Sequence, residues 1–160
     1  MSIREQLKYM VSVNQLVAKN ILEDITEPES LIIVDKLPNH IRWITGHIVY
    51  SGGVPLMKLG DTKDDWERLK DLFAGGSELA KDPSVYPSQA ELRSWLADIH
   101  ERTLTALDKV DEAMFEIETG EGEQKRPAWK RYVFLYMHEF YHAGQIVQIR
   151  RAIGRPRPFG

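Results

Sequence analysis

The sequence contains no cysteine. That single absence excludes disulfides, thiolate metal ligands and a cysteine nucleophile. It leaves the redox compartment open and accords with a cytoplasmic protein. No stretch approaches the ~18 uninterrupted apolar residues of a membrane span, so no membrane partner is expected. The opening Met1-Ser2-Ile3-Arg4-Glu5-Gln6 carries early charges and lacks the apolar run of a secretory signal. No sign of charge dominates: 21 Lys and Arg stand against 24 Asp and Glu, a net charge of -3. That balance gives no broad electrostatic reason to bind nucleic acid. The basic residues that do gather, Arg150, Arg151, Arg155 and Arg157, read as a helix C-terminal turn complementing the dipole, followed by a solvated end. Repeats and low-complexity segments are also missing.

What is present is ordinary globular material, 160 residues with 42% hydrophobic and 28% charged content. That length suits a single domain over residues 1–160 with a real core. Four helical segments stand out. The first runs from about Ser2 to Asp24, with Ile3, Leu7, Met10, Asn14, Val17 and Ile21 on one stripe. Glu27-Pro28-Glu29-Ser30 breaks it, and Leu31-Ile32-Ile33-Val34 reads as a connector. The second opens near Pro38, with Trp43, His47, Tyr50 and Val54 inward and a weak point at Gly52-Gly53. Leu59 to Gly76 is a polar, partly helical excursion whose buried side is Trp66, Leu69 and Phe73. The third helix starts at Ser88-Gln89-Ala90-Glu91, a capping box. Thr119 to Arg126 is an exposed loop. The fourth helix runs from near Pro127 to about Ile153, with Gly154 and Pro156 as the stop. Tyr132 to Met137 is apolar all round, which predicts burial on most sides. With no convincing strand pair, the pattern predicts an all-α, up-and-down-type four-helix bundle with a long connection after the second helix.

The informative run is His138-Glu139-Phe140-Tyr141-His142. Helical residues four apart share a face, about 40° apart in azimuth and ~6 Å along the axis. Two imidazoles so placed are able to bind one metal ion, as in the His-Glu-x-x-His zinc signature. His47, on the inward stripe of the second helix, supplies a third ligand and leaves a coordination place for substrate. A lone histidine on an apolar face is more often one that simply bonds a neighbour. Two at i, i+4 with a third opposite favour a divalent metal centre of His47, His138 and His142.

Glu139 has two readings. It is the general base for metal-bound water, as in zinc proteases, or it is an acid that supports the centre from behind a ligand or simply lies at the surface. The protease version needs a sheet to hold a peptide, and the sequence offers none. Gln145, three residues beyond His142, suits a hydrogen bond to a ligand histidine or to a metal-bound water, and equally a buried polar contact to a neighbouring helix. Tyr50, Tyr141 and Asn14 are weaker candidates for lining a pocket. His40, in the first turn of its helix, and His100, beside the stripe of the third, are read as non-ligands.

Trp43-Ile44-Thr45-Gly46-His47-Ile48, followed far downstream by His138-Glu139-Phe140-Tyr141-His142-Ala143-Gly144-Gln145-Ile146, resembles the DinB/YfiT-like superfamily. Arg150-Arg151-Ala152-Ile153-Gly154 is similar to that family's last helical turns. The resemblance implies a four-helix bundle, a three-histidine divalent metal site near one end, and a homodimer. It also implies a metal-dependent transferase or isomerase that uses a low-molecular-weight thiol, such as bacillithiol or mycothiol, on a small-molecule substrate.

Zinc, nickel and iron all suit three imidazoles. The cation would stabilise a thiolate at neutral pH for attack on an electrophile. The alternatives are a metal-dependent hydrolase, with Glu139 or another carboxylate as base, and a non-enzymatic bundle whose metal only stabilises the fold.

Overall fold

Ser2 and Ser88 each begin a helix by the same reciprocal device. Ser2 Oγ accepts from Glu5 N–H at 3.2 Å while Ser2 N–H donates to Glu5 Oε2 at 2.7 Å. Ser88 and Glu91 repeat the arrangement at 3.2 and 2.9 Å. Each box satisfies amides that the first helical turn leaves free, a contribution of about 1 kcal/mol. The computed structural model describes residues 1–159. Its four long helices are α1 (Ile3–Leu22), α2 (Ile41–Lys58), α3 (Gln89–Lys109) and α4 (Ala128–Ala152).

Helix α1 packs on α3 and α4, and α2 packs on the same two. Around the bundle the order is therefore α1, α3, α2, α4. Consecutive helices α1 and α2 lie across one diagonal, and α3 and α4 across the other. Each diagonal needs a long connection, residues 23–40 and 110–127. The longest connection, Leu59 to Ser88, follows α2 as expected. The core runs between the layers through Leu7, Val11, Ile44, Ile48, Leu96 and Ile146.

The excursion after α2 folds back onto that helix. Trp66, Leu69 and Phe73 are buried, as their spacing predicts. Two glycines receive them. A Cβ on Gly46 would lie 2.1 Å from Phe73 Cε1, and one on Gly53 would lie 2.3 Å from Trp66 Cγ. Gly53 is thus a cradle for an indole and not a break, and α2 continues through it to Lys58. Arg102 on α3 ties the excursion down through Asp61 and Asp64.

Other expectations are corrected. His40 is not in a first turn at the rim: it is the N-cap of α2, buried, and its Nδ1 accepts from Trp43 N–H at 3.0 Å. The basic C-terminal stretch is not simply solvated. Arg150 is buried, bonding Asp24 and the Ile21 carbonyl, and Arg155 pairs with Glu29. A two-residue antiparallel ladder, β1 (Glu118–Thr119) with β2 (Arg126–Pro127), closes the loop before α4. Helix α4 is not buried on most sides, since Phe134, Met137, Phe140 and Tyr141 are exposed. It occupies a corner of the bundle, covered by α1, α2 and the segment that precedes it, and its remaining face is open to solvent.

Candidate metal centre

His138 and His142 stand one turn apart on α4, opposite His47 on α2. His142 Nε2 lies 3.0 Å from His138 Nε2, and His47 Nε2 lies 3.4 Å from the same atom. One ligand atom from each of the three falls within 4.8 Å of the others. Nitrogens 2.0–2.1 Å from a tetrahedral zinc are about 3.3 Å apart, so the spacing fits a shared cation.

The tautomers point the same way. His47 Nδ1 lies 2.6 Å from the Phe73 carbonyl, which can only accept, so Nδ1 carries the proton. His142 Nδ1 lies 2.7 Å from Gln145 Oε1, while Gln145 Nε2 donates to Tyr141 Oη at 3.2 Å. Both imidazoles therefore turn a bare Nε2 lone pair toward His138. His138 has one Nε2 and can satisfy at most one of them by donation. A cation satisfies all three, and the outer hydrogen bonds are those that metal-ligating histidines ordinarily make.

The surroundings keep the rings neutral. Burial pushes His142 down to about 4, with Gln145 opposing and the nearby His47 and His138 adding to the shift. Burial also lowers His47, against the Phe73 carbonyl. His138 is lowered by burial and by His47, with Glu139 opposing. Neutral imidazole is the form that binds metal. Aromatic rings fix the geometry: Trp43 stacks on His47 with centroids 5.1 Å apart, and Phe134 lies along His138 at 6.1 Å. Trp43 is itself anchored, its Nε1–H donating to the Leu72 carbonyl at 3.0 Å.

Glu139 does not present a free carboxylate to these ligand atoms. Its Oε1 lies 2.9 Å from His100 Nε2, and its Oε2 accepts from Asn14 Nδ2 at 2.9 Å. The general-base expectation thus meets a carboxylate already held between α1 and α3. The reason is helical: adjacent residues diverge by roughly 100°, so His138 facing α2 turns Glu139 toward the other pair of helices. His100 is buried in that pairing and stands outside the three-histidine cluster. Asn14 also donates to the Tyr136 carbonyl, so it joins α1 to α4. Tyr50 is half-buried against the core. The Phe73 carbonyl escaped sequence reasoning because a main-chain acceptor has no residue signature. Gly46 beside His47 was the one available hint that something bulky docks there.

The model of the DinB superfamily matches residues 14–146. The chain belongs to the DinB superfamily. The matched span holds every residue of the centre, from His47 to Gln145. No curated protein matches this DinB chain. Among solved structures, a conserved protein from Enterococcus faecalis superposes with a TM-score of 0.75 at 17% identity, covering 97% of this chain and 99% of that one. YfiT from Bacillus subtilis, described as a probable metal-dependent hydrolase with an unusual four-helix bundle topology, gives 0.68 at 13% identity, covering 96% and 89%. These likenesses establish the four-helix fold.

Proposed function

We propose that this DinB protein is a metal-dependent enzyme acting on a small molecule, with His47, His138 and His142 holding a divalent zinc, nickel or iron ion. The observation that carries the reading is the convergence of imidazole lone pairs whose opposite nitrogens are committed to Phe73 and Gln145. A bound divalent cation with a free coordination place supplies Lewis acidity, lowering the pKa of a thiol or water that enters it.

The favoured reaction is transfer of a low-molecular-weight thiol to an electrophile. A sulfur–carbon bond forms, the bond to the leaving group breaks, and the thiol proton departs with that group. A free thiol has a pKa of about 8.5, so polarisation alone delivers the nucleophile without a positioned base. That suits a site whose nearest carboxylate, Glu139, is already engaged. A groove of about 360 Å3, lined by Gln124, Arg126, Arg131, Phe134 and Leu135, has room for a small molecule, and the Phe134 ring that lines it also lies along His138. Exposed Tyr9 and Leu16 on α1, with Met137 and Phe140 on α4, support pairing of two copies as a homodimer.

Hydrolysis is the second reading, favoured by the description of YfiT. The experiment that separates the two is a conjugation screen of metal-loaded protein with glutathione, bacillithiol and coenzyme A. Thiol-dependent product, lost in His47→Ala, supports transfer. Ester or amide hydrolysis with no turnover of any thiol overturns it.

A further inference from the structure

Two of the three histidines have an outer acceptor supplied by the protein, the Phe73 carbonyl for His47 and Gln145 for His142. His138 has none among the described residues. Its Nε2 is turned to the other two rings, so its Nδ1–H needs an acceptor elsewhere. Beside it lies a cavity of about 20 Å3 whose lining is half apolar and whose polar half is His138, Glu139, Tyr136, His100, Ser51 and Thr103. A cavity needs roughly 10–15 Å3 of such volume, and 2–4 polar partners, to hold one water. Tyr136 supplies an independent sign. Its phenol oxygen is buried without a hydrogen-bond partner, and a buried hydroxyl left unpaired costs about 1–3 kcal/mol.

We propose that one internal water in this cavity joins His138 to Glu139, and that Asn14 and His100 are positioning residues that hold the carboxylate to receive it. The inference rests on the reading of the three histidines as metal ligands. The hydrogen-bond count closes. The water accepts from His138 Nδ1–H and from Tyr136 Oη–H, and it donates to Glu139 and to the hydroxyl of Ser51 or Thr103. Glu139 accepts one bond at each oxygen from Asn14 and His100, and each oxygen retains a lone pair for the water. The support for the third ligand thus comes from α1 and α3, the two helices that carry no ligand. This gives the buried trio a purpose at the centre: it raises the donor strength of His138 and fixes its ring, as an outer carboxylate does for a ligating histidine.

The test uses the full chain loaded with cobalt(II), whose ligand ring N–H protons give separate, paramagnetically shifted, exchangeable proton resonances. Wild type is expected to show three that exchange slowly. Tyr136→Phe and Glu139→Gln are each expected to shift or exchange-broaden the same one of the three and leave the other two in place. His100→Gln, which retains a side-chain donor toward Glu139, is expected to shift it less. Cobalt affinity in Glu139→Gln should fall about tenfold, at the lower end of the 10–100-fold range for outer partners. Thermal unfolding of each variant checks that it is folded. Only two slowly exchanging resonances in wild type, or three that neither Tyr136→Phe nor Glu139→Gln moves, overturns the proposal while leaving the metal centre standing. Failure of wild type to bind cobalt overturns the metal reading and this inference with it.

Discussion

The main-chain carbonyl of Phe73 lies 2.6 Å from His47 Nδ1, across 26 residues of sequence. The contact exists because Gly46, next to His47, lets the Phe73 ring sit where a Cβ would be, 2.1 Å from Phe73 Cε1. Packing, tautomer and ligand orientation therefore share one hinge of chain.

Gly46→Ala should break all three together. Overpacking of a tight core costs about 1–3 kcal/mol, and Phe73 must move and take its carbonyl away from His47. Divalent metal affinity is expected to fall at least tenfold, as for loss of an outer hydrogen bond. Thermal unfolding with a metal titration checks both. Gly75→Ala is the control, since a Cβ there meets nothing within 4 Å. Unchanged affinity in Gly46→Ala would show that the carbonyl does not position His47.

Gln145→Leu removes the acceptor at His142 Nδ1 while keeping the side chain's bulk. The expected outcome is a 10–100-fold loss of metal affinity with little change in the melting temperature of metal-free protein. Gln145 is only half-buried, so its loss strips the fold of little. Equal affinity in a competition titration would relegate Gln145 to a bond with Tyr141.

Acid should weaken the metal-free protein through the same three rings. All three have folded pKa values below the ordinary 6.5, His142 at about 4. A depressed folded value means that the unfolded chain binds protons first. Stability from these groups is complete above about pH 6.5 and is lost as pH falls from there toward 4. Urea unfolding at stepped pH should show that decline, flatter in His142→Ala. A level profile between pH 7 and pH 5 would contradict it. Metal affinity should fall over the same range, because protons compete for the lone pairs.

Light scattering on a sizing column should report a dimer. Phe140→Asp or Leu16→Asp, at exposed apolar positions on α4 and α1, should give folded monomers. A monomeric wild type at micromolar concentration would remove the homodimer.

The bundle was legible because its helices announce themselves. Ser88 and Glu91 spell a capping box, and Gly154 with Pro156 mark a stop. The ligand histidines were legible for the same reason, since the i, i+4 spacing is a local property of one helix. What stayed hidden depends on contacts between distant segments. The ring order that separates α1 from α2 is set by packing, which periodicity does not encode. Gly52-Gly53 reads locally as a weak point, and only Trp66 arriving on Gly53 turns it into a docking site. The apolar run Tyr132 to Met137 reads as buried because hydropathy does not reveal that α4 occupies a corner with an exposed face. Glu139 carries a catalytic signature in sequence, and its bonds to Asn14 and His100 appear only once α1 and α3 are in place.

Metal analysis of untagged protein, purified without chelator, alongside the His47→Ala, His138→Ala and His142→Ala variants decides whether the three imidazoles hold a cation. Wild type should carry close to one zinc, nickel or iron ion per chain, and each folded variant should lose stoichiometric metal. A wild type that takes up no divalent metal when offered it, or a His47→Ala variant that retains a full equivalent, would contradict a three-histidine metal centre.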